Sequence, residues 1–129
     1  MTVTTTPDLH LTLRIDPEDC WRTYEMLVAN ESLIRSLGRA RLEALARLVR
    51  ELSLNTYHHG GPGSSGSLSG DLGQRSFEVR FCSEPFDSVA QAQKSQTGGL
   101  FSGSVVLAEA GGIWEYRWHG GWNIYEIRF

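Results

Sequence analysis

Lysine is nearly absent from this chain. Lys94 is the only one among twelve basic residues, and arginine supplies the rest. Arginine favours flat, two-pronged contacts with carboxylates and phosphates, although genome composition alone produces the same bias. Cysteine is also scarce. Cys20 and Cys82 follow no metal or redox spacing, so both are expected to be reduced thiols, and no metal or cofactor is expected. No segment approaches the roughly 18 apolar residues of a membrane span. The Thr-rich start, Met1 to Asp8, has neither the basic residues nor the apolar run of a secretory signal. These absences point to a cytoplasmic protein without membrane contact. A Walker sequence, a dinucleotide-binding glycine pattern, H-E-x-x-H and G-x-S-x-G are all missing. The formal net charge of -3 argues against general affinity for nucleic acid.

What is present is the material of one domain over residues 1–129. The apolar share of 40% and charged share of 21% suit a globular protein. A chain of this length buries about two-thirds of its unfolded surface, enough to fold without staples. Residues 1–7 are polar and expected to fray. Leu9, Leu11, Leu13 and Ile15 then alternate with polar residues, the period of a strand with one buried face. Asp16 and Pro17 open a helix to about Ala29, with Trp21, Tyr24 and Val28 expected inside. Leu33, Ile34, Leu37, Leu45, Leu48, Val49 and Leu52 form the apolar stripe of a second helix, residues 31–53. Gly38 costs about 1 kcal/mol in a helix interior, so a kink or break is expected there.

Residues 58–73, HHGGPGSSGSLSGDLG, contain six glycines and four serines. Such a composition offers little apolar surface to offset the entropy of ordering, and a long mobile loop is expected. Phe77, Val79 and Phe81 alternate with polar residues in a further strand. Ser88 with Gln91 resembles a capping box before a short helix, 89–96. Gly111-Gly112 and Gly120-Gly121 each separate β-rich runs, and such pairs suit tight hairpins. The expected result is a three-stranded meander, 103–110, 113–119 and 122–129. Its register pairs Trp118 with Asn123 and Tyr116 with Tyr125, and places Trp118 inside and Trp122 outside. The fold class is therefore α+β: a mainly antiparallel sheet of four to five strands, two N-terminal helices on one face, and the order β-α-α-loop-β-α-β-β-β.

The outer face of that meander carries the functional candidates. Trp122, His119, Ile124, Arg117 and Arg128 make a binding patch, because an outward Trp is typical of interface hot spots. The leading expectation is a non-catalytic module that binds another protein there, and nothing in the sequence opposes a homo-oligomer. Glu115, Arg117 and His119 offer a base, a cation and an imidazole acid on one strand, the groups a small metal-independent ribonuclease-like hydrolase needs. The plainer account of the same residues is a charge ladder with diagonal pairs Arg117–Glu126 and Glu115–Arg128. His58 and His59 are loop candidates, but neighbours in an extended chain point apart and do not chelate one ion. A third expectation is a small-ligand pocket lined by the C-terminal aromatics, since six of thirteen lie in residues 114–129.

Overall fold

The computed structural model describes residues 8–60 and 64–129. The expected fraying of residues 1–7 and part of the expected loop lie outside the described residues. The elements run β1 (Leu9–Arg14), α1 (Pro17–Val28), α2 (Glu31–Leu37), α3 (Arg39–Gly60), β2 (Ser65–Asp71), β3 (Ser76–Cys82), α4 (Ser88–Ser95), α5 (Gly98–Glu109), β4 (Ile113–His119) and β5 (Trp122–Arg128). The fold is α+β. One antiparallel sheet has the order β1-β2-β3-β5-β4, so both early strands join the C-terminal hairpin.

Local chemistry explains the first half. The Asp16 carboxylate accepts the N–H of Asp19 at 2.9 Å and starts α1, with Pro17 in the first turn. Asn30 does the same for α2 through Leu33 N–H, 3.0 Å. Gly38, at φ 78, ends α2 by donating to the Ile34 carbonyl. Its carbonyl then accepts from Leu42, so the expected break separates two helices. Trp21 is not inside. It is 54% exposed, because the Arg50 guanidinium lies 4.6 Å over its ring and 4.8 Å over that of Tyr24. That stacking holds the indole on the surface, while Cys20 and Leu27 take the buried side of α1.

The glycine-rich segment is a correction. His58, His59 and Gly60 belong to the last turn of α3, and Ser65–Asp71 is β2, flanked by two neighbours in the sheet. Gly66 pairs with Phe81 and Gly70 with Phe77. A Cβ on Gly66 would stand 2.7 Å from the Phe81 ring, and one on Gly70 2.5 Å from the Phe77 ring. The aromatic rings of β3 therefore lie over the bare backbone of β2 and supply the burial that glycine lacks. Leu68 between them is fully buried.

A second correction concerns residues 103–110: they are not a strand but the end of helix α5, with Ala110 as its cap. Leu100, Gly103 and Leu107 recur at helical spacing on the side of α5 that meets the core. Gly103 faces α3, where a Cβ would sit at ordinary van der Waals distance, 3.6 Å, from Leu48 Cδ1. Gly111 is the stop: at φ 80 its N–H donates to the Ala108 carbonyl, and Gly112 N–H to that of Leu107. Those two bonds are the Schellman ending of a helix. The sheet thus has a C-terminal hairpin instead of a meander. Gly120 (φ 57) and Gly121 (φ 86) do form the expected tight turn, and Trp118↔Asn123, Tyr116↔Tyr125 and Trp114↔Ile127 pair as the spacing requires.

The core lies between one sheet face and the helices. Leu13, Leu68, Phe77, Val79, Phe81, Tyr125 and Ile127 meet Leu33, Leu37, Leu42, Leu45, Leu48, Leu52 and Leu107. At its edge, Asn123 and Tyr125 hold the segment between β3 and α4. Asn123 accepts from Phe86 N–H (2.9 Å) and the Tyr116 hydroxyl (2.7 Å), and donates to the Glu84 carbonyl (2.9 Å) and Ser83 Oγ (3.0 Å). The Tyr125 hydroxyl donates to the Phe86 carbonyl (2.7 Å) and accepts from Ser88 N–H (3.1 Å). Asp87, not Ser88, caps α4 by accepting from Ala90 N–H.

Candidate functional site

The face opposite the helices is built by the outward residue of each strand. Register places them in rows across the sheet. One row is Thr12, Ser67, Arg80, Ile124, Arg117; the next is Arg14, Ser65, Cys82, Trp122, His119. On the other side lies His10, Ser69, Glu78, Glu126, Glu115. Three carboxylates in direct cross-strand register repel one another unless neutralised. Each has its own arginine: Glu78 pairs with Arg80, Glu126 with Arg117 at 3.4 Å, and Glu115 with Arg128 at 3.3 Å. The two diagonal pairs expected from the sequence are both present. Exposed pairs of this kind contribute only about 0–1 kcal/mol each, so they order the face more than they stabilise it.

Ile124 is buried, although it points to this face and stands outside the main core. Its cross-strand neighbours are Arg80 and Arg117, whose aliphatic stems can cover it. It is a floor and not a contact point. Trp122 is half-buried beside it, and His119 and Arg128 are exposed. Glu115, Arg117 and His119 stand side by side on exposed β4, with the two charged groups already engaged in ion pairs. They line an open sheet surface, not a cleft. Trp118, expected inside, lies on the helix side at the border of the sheet and is 43% exposed.

The remaining candidates are elsewhere. His59 stacks on Phe86 at 4.4 Å, and His58 meets Tyr57 edge-on at 5.5 Å. The C-terminal aromatics largely pack on one another: Trp114 and Tyr116 contact Tyr125 at 6.1 and 5.2 Å, and Phe129 contacts Phe77 at 6.4 Å. Among the described residues no group of three or more His, Cys, Asp or Glu is placed to hold a metal ion. No described helix is long and apolar enough to cross a membrane.

No family model matches this chain, and none of the curated proteins does.

The thiols differ in their surroundings. Cys82 is exposed on the outer face, whereas Cys20 is buried at the start of α1. Burial pushes the Cys20 thiol up to about 11, and the carboxylates of Asp16, Asp19 and Glu51 act in the same direction. Burial likewise raises Tyr125 to about 12. Sequence reasoning missed Arg14, Arg80 and Cys82 as members of the outer face. Alternation gave their orientation within β1 and β3, but no local signal joins those strands to β5.

Proposed function

We infer that this protein is a non-catalytic binding module whose partner is another protein, held on the uncovered face of the sheet. The observation that carries this reading is that the core gathers on one side of the sheet and, among the described residues, no element covers the outer side of the five strands. Trp122 is the apolar anchor. His119 flanks it in register, Arg80 and Arg117 stand in the next row paired with Glu78 and Glu126, and Arg14 lies three strands along its own row, so the complementary surface carries mixed charges around an apolar or aromatic patch. A planar guanidinium favours such a partner.

The test is capture of the partner from native-host extract by wild type and by Trp122→Ala, followed by affinity measurement on the purified pair. Trp122→Ala should weaken binding by about 2 kcal/mol, some thirtyfold, while costing the fold only about 1 kcal/mol. Raising salt should slow association. Equal capture by the variant would remove this face from the interaction. Cleavage of single-stranded RNA in EDTA, lost in Glu115→Gln and in His119→Ala, would replace the binding reading with a catalytic one.

A further inference from the structure

Strand β4 is at the border of the sheet, with β5 as its sole strand neighbour among the described residues. The turn that closes the hairpin has two residues, so the flanking pair His119–Trp122 exchanges its backbone bonds, and every second pair does so after it. The N–H and C=O of Ile113, Glu115, Arg117 and His119 therefore point toward β5. Those of Trp114, Tyr116 and Trp118 point away from the sheet. Natural border strands are blunted by charged side chains, above all lysine, by proline, a bulge, shortness or a covering helix or loop, and the two charges of β4, Glu115 and Arg117, are each engaged in an ion pair with β5. Here seven residues pair without interruption, and neither lysine nor proline occurs in Ile113–His119. Two of the large exposed apolar residues, Ile113 and Trp118, sit near its two ends.

The sequence of β4, IWEYRWH, has a property that only an antiparallel partner reveals. Turned about Tyr116, it is complementary to itself. Trp114 falls opposite Trp118 of the other copy, Tyr116 opposite Tyr116, and Ile113 opposite His119. Glu115 falls opposite Arg117, twice. The three residues with outward backbone groups also fall opposite one another, which completes six hydrogen bonds. Turning about Glu115 or Arg117 instead sets like charges face to face. Turning between two residues sets the helix side of one sheet against the outer side of the other. We propose that the protein forms a two-fold dimer by antiparallel pairing of β4 with β4 of a second copy about Tyr116, giving one ten-stranded sheet with a doubled outer face. The interface is isologous, closes on itself, and hides the border that would otherwise recruit other strands.

Charge variants test both the dimer and its register. Glu115→Arg places arginine opposite Arg117 in a second copy of itself, and Arg117→Glu places glutamate opposite Glu115. Each alone should dissociate at least about tenfold more readily than wild type. Mixed together, the two variants restore both opposite-charge pairs, so an equimolar mixture should form a heterodimer. Sedimentation at about 0.1 mM chain should give wild type a mass twice 14.4 kDa, each variant alone a smaller mass, and the mixture the wild-type value. A second readout needs no variant. Exchange of the Trp114, Tyr116 and Trp118 amides should slow as wild-type concentration rises, while Glu115 and Arg117 stay protected throughout. A monomeric wild type, variants that each dimerise as well as wild type, a mixture that stays monomeric, or concentration-independent exchange at those three amides would each overturn the proposal.

Discussion

At the scale of single residues, Asn123 controls the position of the segment between β3 and α4. Its side chain makes all four of its bonds inside the protein. Asn123→Ala leaves Phe86 N–H, the Glu84 carbonyl and the Tyr116 hydroxyl without that partner, and should cost about 3 kcal/mol in urea melts. Tyr125 gives a pH signature. Its folded value, about 12, lies above the ordinary phenol value of 10.0. The protonated phenol is the form the fold favours, so its contribution is complete below pH 10 and disappears as pH rises toward 12. That difference corresponds to about 2–3 kcal/mol. Stability should fall through that window in wild type, and the drop should shrink in Tyr125→Phe, which is less stable at neutral pH because Ser88 N–H and the Phe86 carbonyl lose a partner. The thiols offer a simpler check. Cys82 should react with a thiol reagent in the native protein, and Cys20 only after denaturation, because a buried thiol held up to about 11 is neither accessible nor ionised at neutral pH. Equal native reactivity would contradict the placement of Cys20 on the buried side of α1.

At the scale of elements, what could be read from the sequence was whatever is decided locally. The alternation of β1 and β3, the Asp16 cap, the break at Gly38 and the register of the β4–β5 hairpin depend on neighbours a few residues away. The two misread segments depend on partners far along the chain. In β2 the pattern Gly66, Leu68, Gly70 against Ser65, Ser67, Ser69 has the period of a strand, but its inner face is filled by Phe77 and Phe81 from the next strand. Composition alone conceals that. Gly70→Ala should therefore destabilise by about 1–3 kcal/mol through collision with the Phe77 ring, whereas alanine in a mobile loop would be neutral or better. In α5, Val105 and Val106 favour a strand locally, but packing of Leu107 and Gly103 on α3 overrides them. A Gly-Gly pair serves a hairpin turn or a Schellman stop equally well, so Gly111-Gly112 and Gly120-Gly121 look alike until tertiary contacts choose. Gly111→Ala, with open space around its Cβ, should cost about 1 kcal/mol from the positive φ alone. The outer-face rows were half legible for the same reason: β4 and β5 lie together in sequence, whereas Arg80 reaches them only through the β3–β5 pairing.

At the scale of the whole molecule, one-sided packing decides which aromatic residues matter for stability. Phe81 is fully buried, and Phe81→Ala should cost about 3–5 kcal/mol. In the monomer, at low protein concentration, Trp118 at the border should cost only about 1 kcal/mol when truncated. Denaturant melts of the two variants separate these expectations, and equal losses would mean that something covers β4. The strand order has a further effect, on the time course of folding. The β2–β3 and β4–β5 ladders join consecutive strands, but β1 reaches β2 only after α1, α2 and α3 have been threaded between them. Closing that long loop costs entropy before any ladder bond repays it. The two hairpins need no such closure and should form first, with β1 docking on the downhill side of the barrier. In stopped-flow chevrons, Val79→Ala should slow refolding, whereas Leu13→Ala should leave refolding nearly unchanged and accelerate unfolding. The first of these five strands in chain order would thus find its place after the hairpins.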